Sequence, residues 1–230
     1  PSDSANSVHV MKMGQALAGA GAEVVLYSRP GTLAGSIYEP YGVDPVFTCR
    51  TVAWPPVRGL GGLIYGRRVA KRLAADRPEA LYGRDLYSLL FAAQGRRPFM
   101  YEVHAVPSHP GRRWLEQRLL ARPGCRGLVV ISDALAQAYA GQTSAPIHVL
   151  RDGADRAHPD PALVEEFRSR HGHRPMVGYV GQLYPGKGME VIVAVARLVP
   201  RADFHVIGGS PGDLERWRGE DLGENVILHG

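Results

Sequence analysis

A glycine-rich loop with one lysine lies between an apolar strand pattern and an apolar helix pattern, in the stretch VGYVGQLYPGKGMEVIVAVARLV. Gly181, Gly186 and Lys187 have the G-x-x-x-x-G-K spacing of a P-loop. A P-loop continues with Ser or Thr, because that hydroxyl binds Mg²⁺, but here Gly188 follows. The missing hydroxyl argues against a nucleoside triphosphatase.

The same loop has the parts of a different phosphate site. A strand, a glycine-rich loop and a helix present backbone N–H groups and the positive end of the helix dipole to an anion. Gly181, Gly186 and Gly188 allow a close approach, and Lys187 adds a positive charge for a phosphate oxygen. The residues alone also fit an ordinary strand-to-helix turn with a solvated lysine.

Polar residues follow several of the predicted strands. Strand and helix patterns alternate along the chain, which predicts an α/β fold with parallel sheets. Ligands bind at the carboxyl ends of such strands, where this sequence places Ser28, Arg84, Asp85, His104 and Ser132. His104 could contact a ligand or be a structural histidine. Arg84 could also bind a ligand, although we expect it to pair with Asp85. Ser132 is expected to cap the helix that follows.

A polar segment punctuated by prolines interrupts the alternation and predicts a domain boundary. We expect a Rossmann-like domain over 1–154, a linker over 155–174 and the start of a second Rossmann-like domain over 175–230. Within the linker, Asp160 and Pro161 predict the start of a short helix. The last region has about three strands, which is few for an independent domain. We therefore expect the protein to continue beyond both ends of this sequence.

Composition limits the classes of protein. With 27 Lys and Arg against 22 Asp and Glu, the net charge is +5, which favours anionic partners in general. The apolar runs are too short to span a bilayer, and no aromatic-interleaved basic motif indicates nucleic-acid binding. Cys49 and Cys125 lie far apart and form no metal or redox motif. We expect a cytoplasmic protein with reduced thiols.

Taken in order, these motifs resemble the retaining glycosyltransferases of the GT-B fold (group 1, family 4-like). The stretch GYVGQLYPGKGMEVIVAVARLVPRADFHVIGG is similar to the start of their nucleotide-sugar domain, where a Gly-Arg-Leu-x-x-x-Lys-Gly loop precedes a helix and a strand ending in glycine. SANSVHVMKMGQALAGAGAEVVLYS resembles their first loop, helix and strand, and YEVHAVPS their strand ending in an active-site histidine. GLVVISDAL and IHVLRDGAD resemble a later strand-Ser-helix unit and the link between the domains.

This resemblance implies two Rossmann-like domains, of which the second is incomplete in this sequence. It also implies an enzyme, hexosyltransferase-like, that moves a sugar from a nucleoside-diphosphate sugar to an acceptor with retention of configuration, using no cofactor and no essential metal. The acceptor could be a glycan, a lipid or a small molecule. By the resemblance, the catalytic residues are His104 and Lys187, the donor diphosphate binds Gly181, Gln182, Lys187 and Gly188, and the acceptor side has Asn6, Ser7 and Arg84. Asn6 and Ser7 are expected in the family's first loop, where they could instead cap the first helix.

The sequence departs from the family pattern at several points. Gln182 replaces an arginine and brings no charge, and Asp152 replaces an asparagine in the interdomain link. The family's helix with two glutamates, which binds the donor sugar and ribose, is not in this sequence. A nucleotide-binding but inactive GT-B-like domain is therefore a second hypothesis. Another Rossmann-type nucleotide enzyme is a weaker one, because GGSPGD at 208–213 lacks the G-x-G-x-x-G spacing.

Two clusters of cationic or imidazole residues remain. The predicted helix 59–76 and its end are strongly basic, which indicates either a solvated face or peripheral docking on the inner face of an anionic membrane. His171 and His173 have a spacing that could suggest a metal, but no third ligand lies near them in the sequence. We therefore expect no metal there. The basic residues are Arg67, Arg68, Lys71, Arg72 and Arg77.

Overall fold

The computed structural model describes residues 5–31, 35–156 and 158–230. Its backbone divides into two compact units, Pro1–Ala154 and Asp155–Gly230. The division falls at the start of the segment expected to be a linker, and that segment contains a helix of the second unit.

The first unit alternates strands and helices, and all of its strand pairs are parallel. One sheet pairs β1 with β2, and a second has the order β3-β4-β5-β6. β2 and a short 3₁₀ helix were not predicted from the sequence. The elements are α1 (Ala5–Gly19), β1 (Val25–Ser28), the 3₁₀ helix (Glu39–Tyr41), β2 (Thr48–Thr51), α2 (Gly61–Asp76), β3 (Leu81–Gly83), α3 (Leu86–Ala92), β4 (Phe99–Val103), α4 (Pro110–Leu120), β5 (Cys125–Val130), α5 (Asp133–Tyr139) and β6 (Ile147–Val149).

The main core of this unit lies on the central strands β4 and β5. Phe99, Leu128 and Val130 are buried there against Leu119 of α4. α2 packs closely on α3 because Gly66 has no side chain: a Cβ there would lie 2.6 Å from the carbonyl carbon of Tyr87. The central strands are thus fixed on their faces, which positions the polar residues at their ends.

The second unit has one parallel sheet of three strands, in the order β7-β8-β9. Its core contains Leu183, Met189 and Val206, which are fully buried. The elements are α6 (Pro161–His171), β7 (Met176–Val180), α7 (Met189–Leu198), β8 (Asp203–Ile207), α8 (Pro211–Arg218) and β9 (Val226–Leu228).

Side-chain caps fix the starts of several helices, including α4, where His109 accepts from the backbone N–H of Gly111. Ser132 accepts a hydrogen bond from a backbone N–H in the first turn of α5, and Asp160 does the same for α6, so both caps predicted from the sequence are confirmed. Asp85 caps α3 in this way. Ser210 and Asp213 form a reciprocal capping box at α8.

Candidate functional site

The glycine-rich loop connects β7 to α7, as the sequence predicts. Gly186 and Gly188 have φ angles of 85° and 92°, in the left-handed region that favours glycine. Gly188 is also the residue before α7 and has no side chain that could cap the helix. The first backbone N–H groups of a helix lack partners within it, so this loop can offer N–H groups, the helix dipole and Lys187 to an anion.

Tyr179 of β7 fixes both ends of this loop. Its hydroxyl donates to the carbonyl oxygen of Gln182 at 2.8 Å and to that of Lys187 at 3.1 Å. One hydrogen is therefore shared between two acceptors. Gly181 leaves room for this hydroxyl, because a Cβ there would lie 2.9 Å from the Tyr179 hydroxyl oxygen.

α8 and the turn before it hold the middle of the loop. Nη2 of Arg216 and Nε1 of Trp217 both donate to the carbonyl oxygen of Leu183, at 2.6 and 2.9 Å. Gly208 and Gly209 bring the turn against the loop: a Cβ at Gly208 would lie 2.4 Å from the carbonyl oxygen of Gly181. The loop is thus held from two sides.

In the first unit, two of the polar residues expected at strand ends, Arg84 and His104, meet at one buried carboxylate. Glu102 of β4 is 2% exposed and accepts hydrogen bonds from the Tyr82 hydroxyl, at 2.5 Å, and from Nε2 of His104. Nε of Arg84 lies 3.5 Å from its Oε1. Nε2 of His9, on α1, lies 2.9 Å from the same oxygen. We call these five residues the Glu102 cluster.

His9 connects the cluster to the end of the first unit. Its Nε2 is buried, and its angle to Glu102 does not meet hydrogen-bond geometry, so the 2.9 Å approach is an electrostatic contact. Its Nδ1 lies 3.3 Å from Oδ1 of Asp152, one of the positions where the sequence departs from the family pattern. The His9 and His104 rings meet edge to face, with centroids 5.3 Å apart.

The carboxyl of Glu102 is held in its ionised form. Burial pushes its pKa upward, but hydrogen bonds from Tyr82 and His104 and the nearby charges of His9 and Arg84 outweigh burial, so the pKa lies below its ordinary value. For Tyr82, burial and the bond to this carboxylate raise the pKa of the phenol. Because a carboxylate only accepts hydrogen bonds, Nε2 of His104 carries the proton that it donates.

His9, Glu102 and His104 also have the composition of a metal site with two histidines and one carboxylate. Their ligand atoms lie within 4.8 Å of one another. A cation among them would be repelled by the guanidinium of Arg84, which faces the same carboxylate oxygen. The arrangement fits a hydrogen-bonded acid–base cluster better than a metal centre.

Two expectations from the sequence need correction. Arg84 does not pair with Asp85: the carboxylate of Asp85 caps α3 and binds the N–H and hydroxyl of Ser88, while Arg84 turns to Glu102. Asn6 and Ser7 lie in the first turn of α1 and not in a loop before it.

His171 has partners that the sequence did not indicate. The rings of His205 and His229 lie 5.0 and 5.6 Å from it by their centroids, and Phe167 packs among the three. Nδ1 of His205 and Nε2 of His229 are 2.8 Å apart. Burial and the two neighbouring histidines lower the pKa of His205. These histidines are far apart in sequence, so only the fold brings them together.

Sequence reasoning also missed Glu102 and His9. Glu102 lies in β4, and His104 directly follows the last residue of this strand. Residues two apart in an extended segment share a face, so the spacing of Glu102 and His104 in YEVH was a usable signal. His9 gave no such signal, because its role depends on where α1 packs.

Comparisons with known proteins agree with this architecture. The sequence model of glycosyltransferase family 4 matches residues 7–158. Curated protein sequences give no significant match.

Solved structures show the fold over the whole chain. A glycosyltransferase from Rickettsia africae has a TM-score of 0.71 at 14% identity, covering 100% of this chain and 66% of its own. A sucrose-phosphate synthase from Thermosynechococcus elongatus has a TM-score of 0.68 at 19% identity, covering 99% and 65%. HepE from Anabaena in complex with UDP has a TM-score of 0.70 at 17% identity, covering 99% and 66%.

This chain therefore spans slightly less than two thirds of the length of these proteins. The likeness to them shows an α/β fold of the GT-B type. Since the family model covers well over half of the sequence, the chain belongs to glycosyltransferase family 4.

Proposed function

We propose that this protein transfers a sugar from a nucleoside-diphosphate sugar to an acceptor with retention of configuration, and that it uses neither a cofactor nor an essential metal. The observation that carries the proposal is the loop at 181–188, which is held in place at the start of α7 with Lys187 at its end. Family membership gives the reaction class.

The loop has the chemistry that the leaving group needs. Breaking the bond to the sugar develops negative charge on the departing nucleoside diphosphate, and fixed N–H groups and cations stabilise such charge. The groups in the proposal are Lys187 and amides around Gly181–Gly188, other than the N–H groups of Gly181 and Lys187, which already donate to backbone carbonyls. Gln182 can donate hydrogen bonds without charge. Removing one such group typically costs about 10²–10³ in rate.

The Glu102 cluster has the chemistry for the sugar or the acceptor. His104 donates through Nε2 to Glu102, which leaves its Nδ1 to accept a hydrogen bond from a hydroxyl group of a substrate. Arg84, Asn6 and Ser7 are proposed to contribute on the acceptor side. The acceptor is a glycan, a lipid or a small molecule.

We propose that α2 binds peripherally to an anionic membrane. Arg67, Arg68, Lys71 and Arg72 are exposed on this helix, and Trp54 is exposed just before it. Across the described ranges, no helix has the length and apolarity to cross a membrane. We propose a cytoplasmic location, with the basic face of α2 available for contact with the inner face of the membrane. Cosedimentation with phosphatidylglycerol vesicles that weakens with salt would support this, and no binding at low salt would reject it.

The first test is calorimetric titration of the full-length protein with UDP, GDP, ADP and dTDP. We expect one of them to bind, and UDP is the first choice because HepE was solved with it. Lys187→Ala should weaken that binding, whereas Lys71→Ala, an exposed lysine on α2, should not.

Binding of none of the four nucleotides would reject the proposal. Binding followed by no sugar transfer from the matching nucleotide sugar, over a panel of acceptors, would favour the second candidate. That candidate is a nucleotide-binding domain without transferase activity, and the neutral Gln182 is the observation in its favour.

A further inference from the structure

The loop at 181–188 has too little positive charge for its proposed ligand. A nucleoside diphosphate carries several negative charges at neutral pH, and Lys187 is the loop's one charged residue. Gln182 is neutral. If a second positive charge is to balance the diphosphate, it must come from a residue outside the loop.

Arg216 is the cation that the fold brings to this loop. Its Nη2 lies 2.6 Å from the carbonyl oxygen of Leu183, the residue after Gln182. α8 reaches this position because the turn before it is pressed against the loop at Gly208 and Gly209. The guanidinium is therefore in direct contact with the loop backbone.

Arg216 keeps N–H groups for a ligand while it binds the loop. Trp217 donates to the same Leu183 carbonyl at 2.9 Å, so this oxygen has a second donor. Arginine has five N–H groups. The carboxylate of Asp213 is bonded through Oδ2 to the backbone N–H and hydroxyl of Ser210, and its Oδ1 lies 3.7 Å from Nη2 of Arg216, beyond hydrogen-bond distance. The Arg216 side chain is 40% exposed, so a ligand can reach it.

We propose that Arg216 supplies the second positive charge for a diphosphate bound at the 181–188 loop, in the role left open by the neutral Gln182. This inference rests on the proposed function. Arginine suits the role because its planar fork binds phosphate oxygens in pairs, and the contact with Leu183 fixes that fork before the ligand arrives.

The test compares matched variants of the full-length protein by calorimetric titration with UDP, or with whichever of the four nucleotides binds. Arg216→Gln should weaken binding about tenfold, as expected for the loss of one charged hydrogen-bond donor. Arg218→Gln is the control, because Arg218 is an exposed arginine on the same helix. It should change binding by less than about twofold.

Moving the positive charge from Arg216 to position 182 separates a role in ligand binding from a structural role. Adding Gln182→Arg to Arg216→Gln should restore most of the lost affinity, because the loop regains its second cation. Arg216→Lys should lose less than Arg216→Gln, since it keeps the charge. Arg216→Gln should lower the affinity of inorganic pyrophosphate, measured by competition with the nucleotide, and leave the affinity of uridine unchanged.

Three results would overturn the inference. The first is an equal loss of nucleotide affinity in Arg216→Gln and Arg218→Gln. The second is that Gln182→Arg restores no affinity while Arg216→Gln lowers the melting temperature. The third is that Arg216→Gln weakens the binding of uridine as much as that of pyrophosphate. Failure of all four nucleotides on the unmodified protein would instead reject the proposed function, and this role for Arg216 with it. Binding that depends on Lys187 but not on Arg216 would reject this inference alone.

Discussion

Replacing Glu102 by glutamine tests whether an ionised carboxylate organises the Glu102 cluster. The side chain is 2% exposed, with Oε1 facing His104 and Arg84 and Oε2 accepting from Tyr82. Glutamine keeps the shape and one acceptor oxygen, so the substitution removes the charge and changes the volume very little.

The expected magnitude follows from these contacts. A hydrogen bond to a charged group contributes about 1.5–3 kcal/mol, and one between neutral groups about 0.5–1.5 kcal/mol. In the variant the bond to His104 becomes a neutral one, while the Tyr82 hydroxyl can turn to accept from the amide. The Arg84 contact, at 3.5 Å with a side chain 24% exposed, is screened and adds less. We expect the free energy of unfolding of the first unit to fall by about 1–3 kcal/mol.

The same carboxylate predicts a dependence on pH. Its pKa is lower in the folded protein than its ordinary value of 4.5. The unfolded chain therefore takes up this proton at a higher pH than the folded one. The stabilisation is complete above the ordinary pKa and is lost as the pH falls through the lower, folded value. The difference between Glu102→Gln and the unmodified protein should shrink over that interval.

Hydrogen exchange of the β4 backbone amides, corrected for intrinsic rates, measures the free energy of unfolding at the strand that contains Glu102. Glu79→Gln is the control, because Glu79 is an exposed carboxylate of the same unit. Equal protection of β4 in Glu102→Gln and Glu79→Gln near neutral pH would refute the reasoning.

Three further predictions concern the second unit. Tyr179→Phe removes the hydroxyl that holds two loop carbonyls and should weaken UDP binding in calorimetry by about threefold to tenfold, whereas Tyr184→Phe in the same loop should change it by less than about twofold. Asn225 donates to three backbone carbonyls; Asn225→Ala should lower stability in urea by about 1–3 kcal/mol, and Asn225→Asp by more, because a carboxylate repels carbonyl oxygens. Burial and its histidine neighbours lower the pKa of His205 from 6.5, so the unfolded state binds this proton more readily and the unit should lose stability as the pH falls below that value. Thermal unfolding at about pH 7.5 and about pH 5.5 checks this, with His205→Asn expected to show a smaller change; a melting temperature that does not fall on acidification would contradict it.

Local features of the fold could be predicted because their causes lie within a few residues. Ser132 and Asp160 cap helices through backbone N–H groups two or three positions away, and both were found from sequence. The strand and helix alternation is equally local. β2 was missed because Thr48–Thr51 reads TCRT and has no apolar run, so its status as a strand depends on pairing with β1.

The candidate site was predictable only in part, because its contacts join distant elements. The sequence singled out His104 and Arg84 at strand ends, and both contact Glu102. It did not indicate Glu102 as their common partner, and it paired Arg84 with Asp85 by proximity. Asp85 has a stronger local use as a helix cap, which leaves Arg84 for the carboxylate on the neighbouring strand.

The shape of the glycine-rich loop depends on residues outside its sequence motif. Its glycines and Lys187 are visible in sequence, but its shape depends on Tyr179, Trp217 and Gly208, which lie outside the motif. A loop fixed before its ligand arrives loses less entropy on binding and needs less rearrangement as charge develops. Substitutions at these outer positions should therefore weaken diphosphate binding even though the motif itself is intact. For the same reason Gln182 need not abolish binding, because the cation missing from the motif can come from a neighbouring helix.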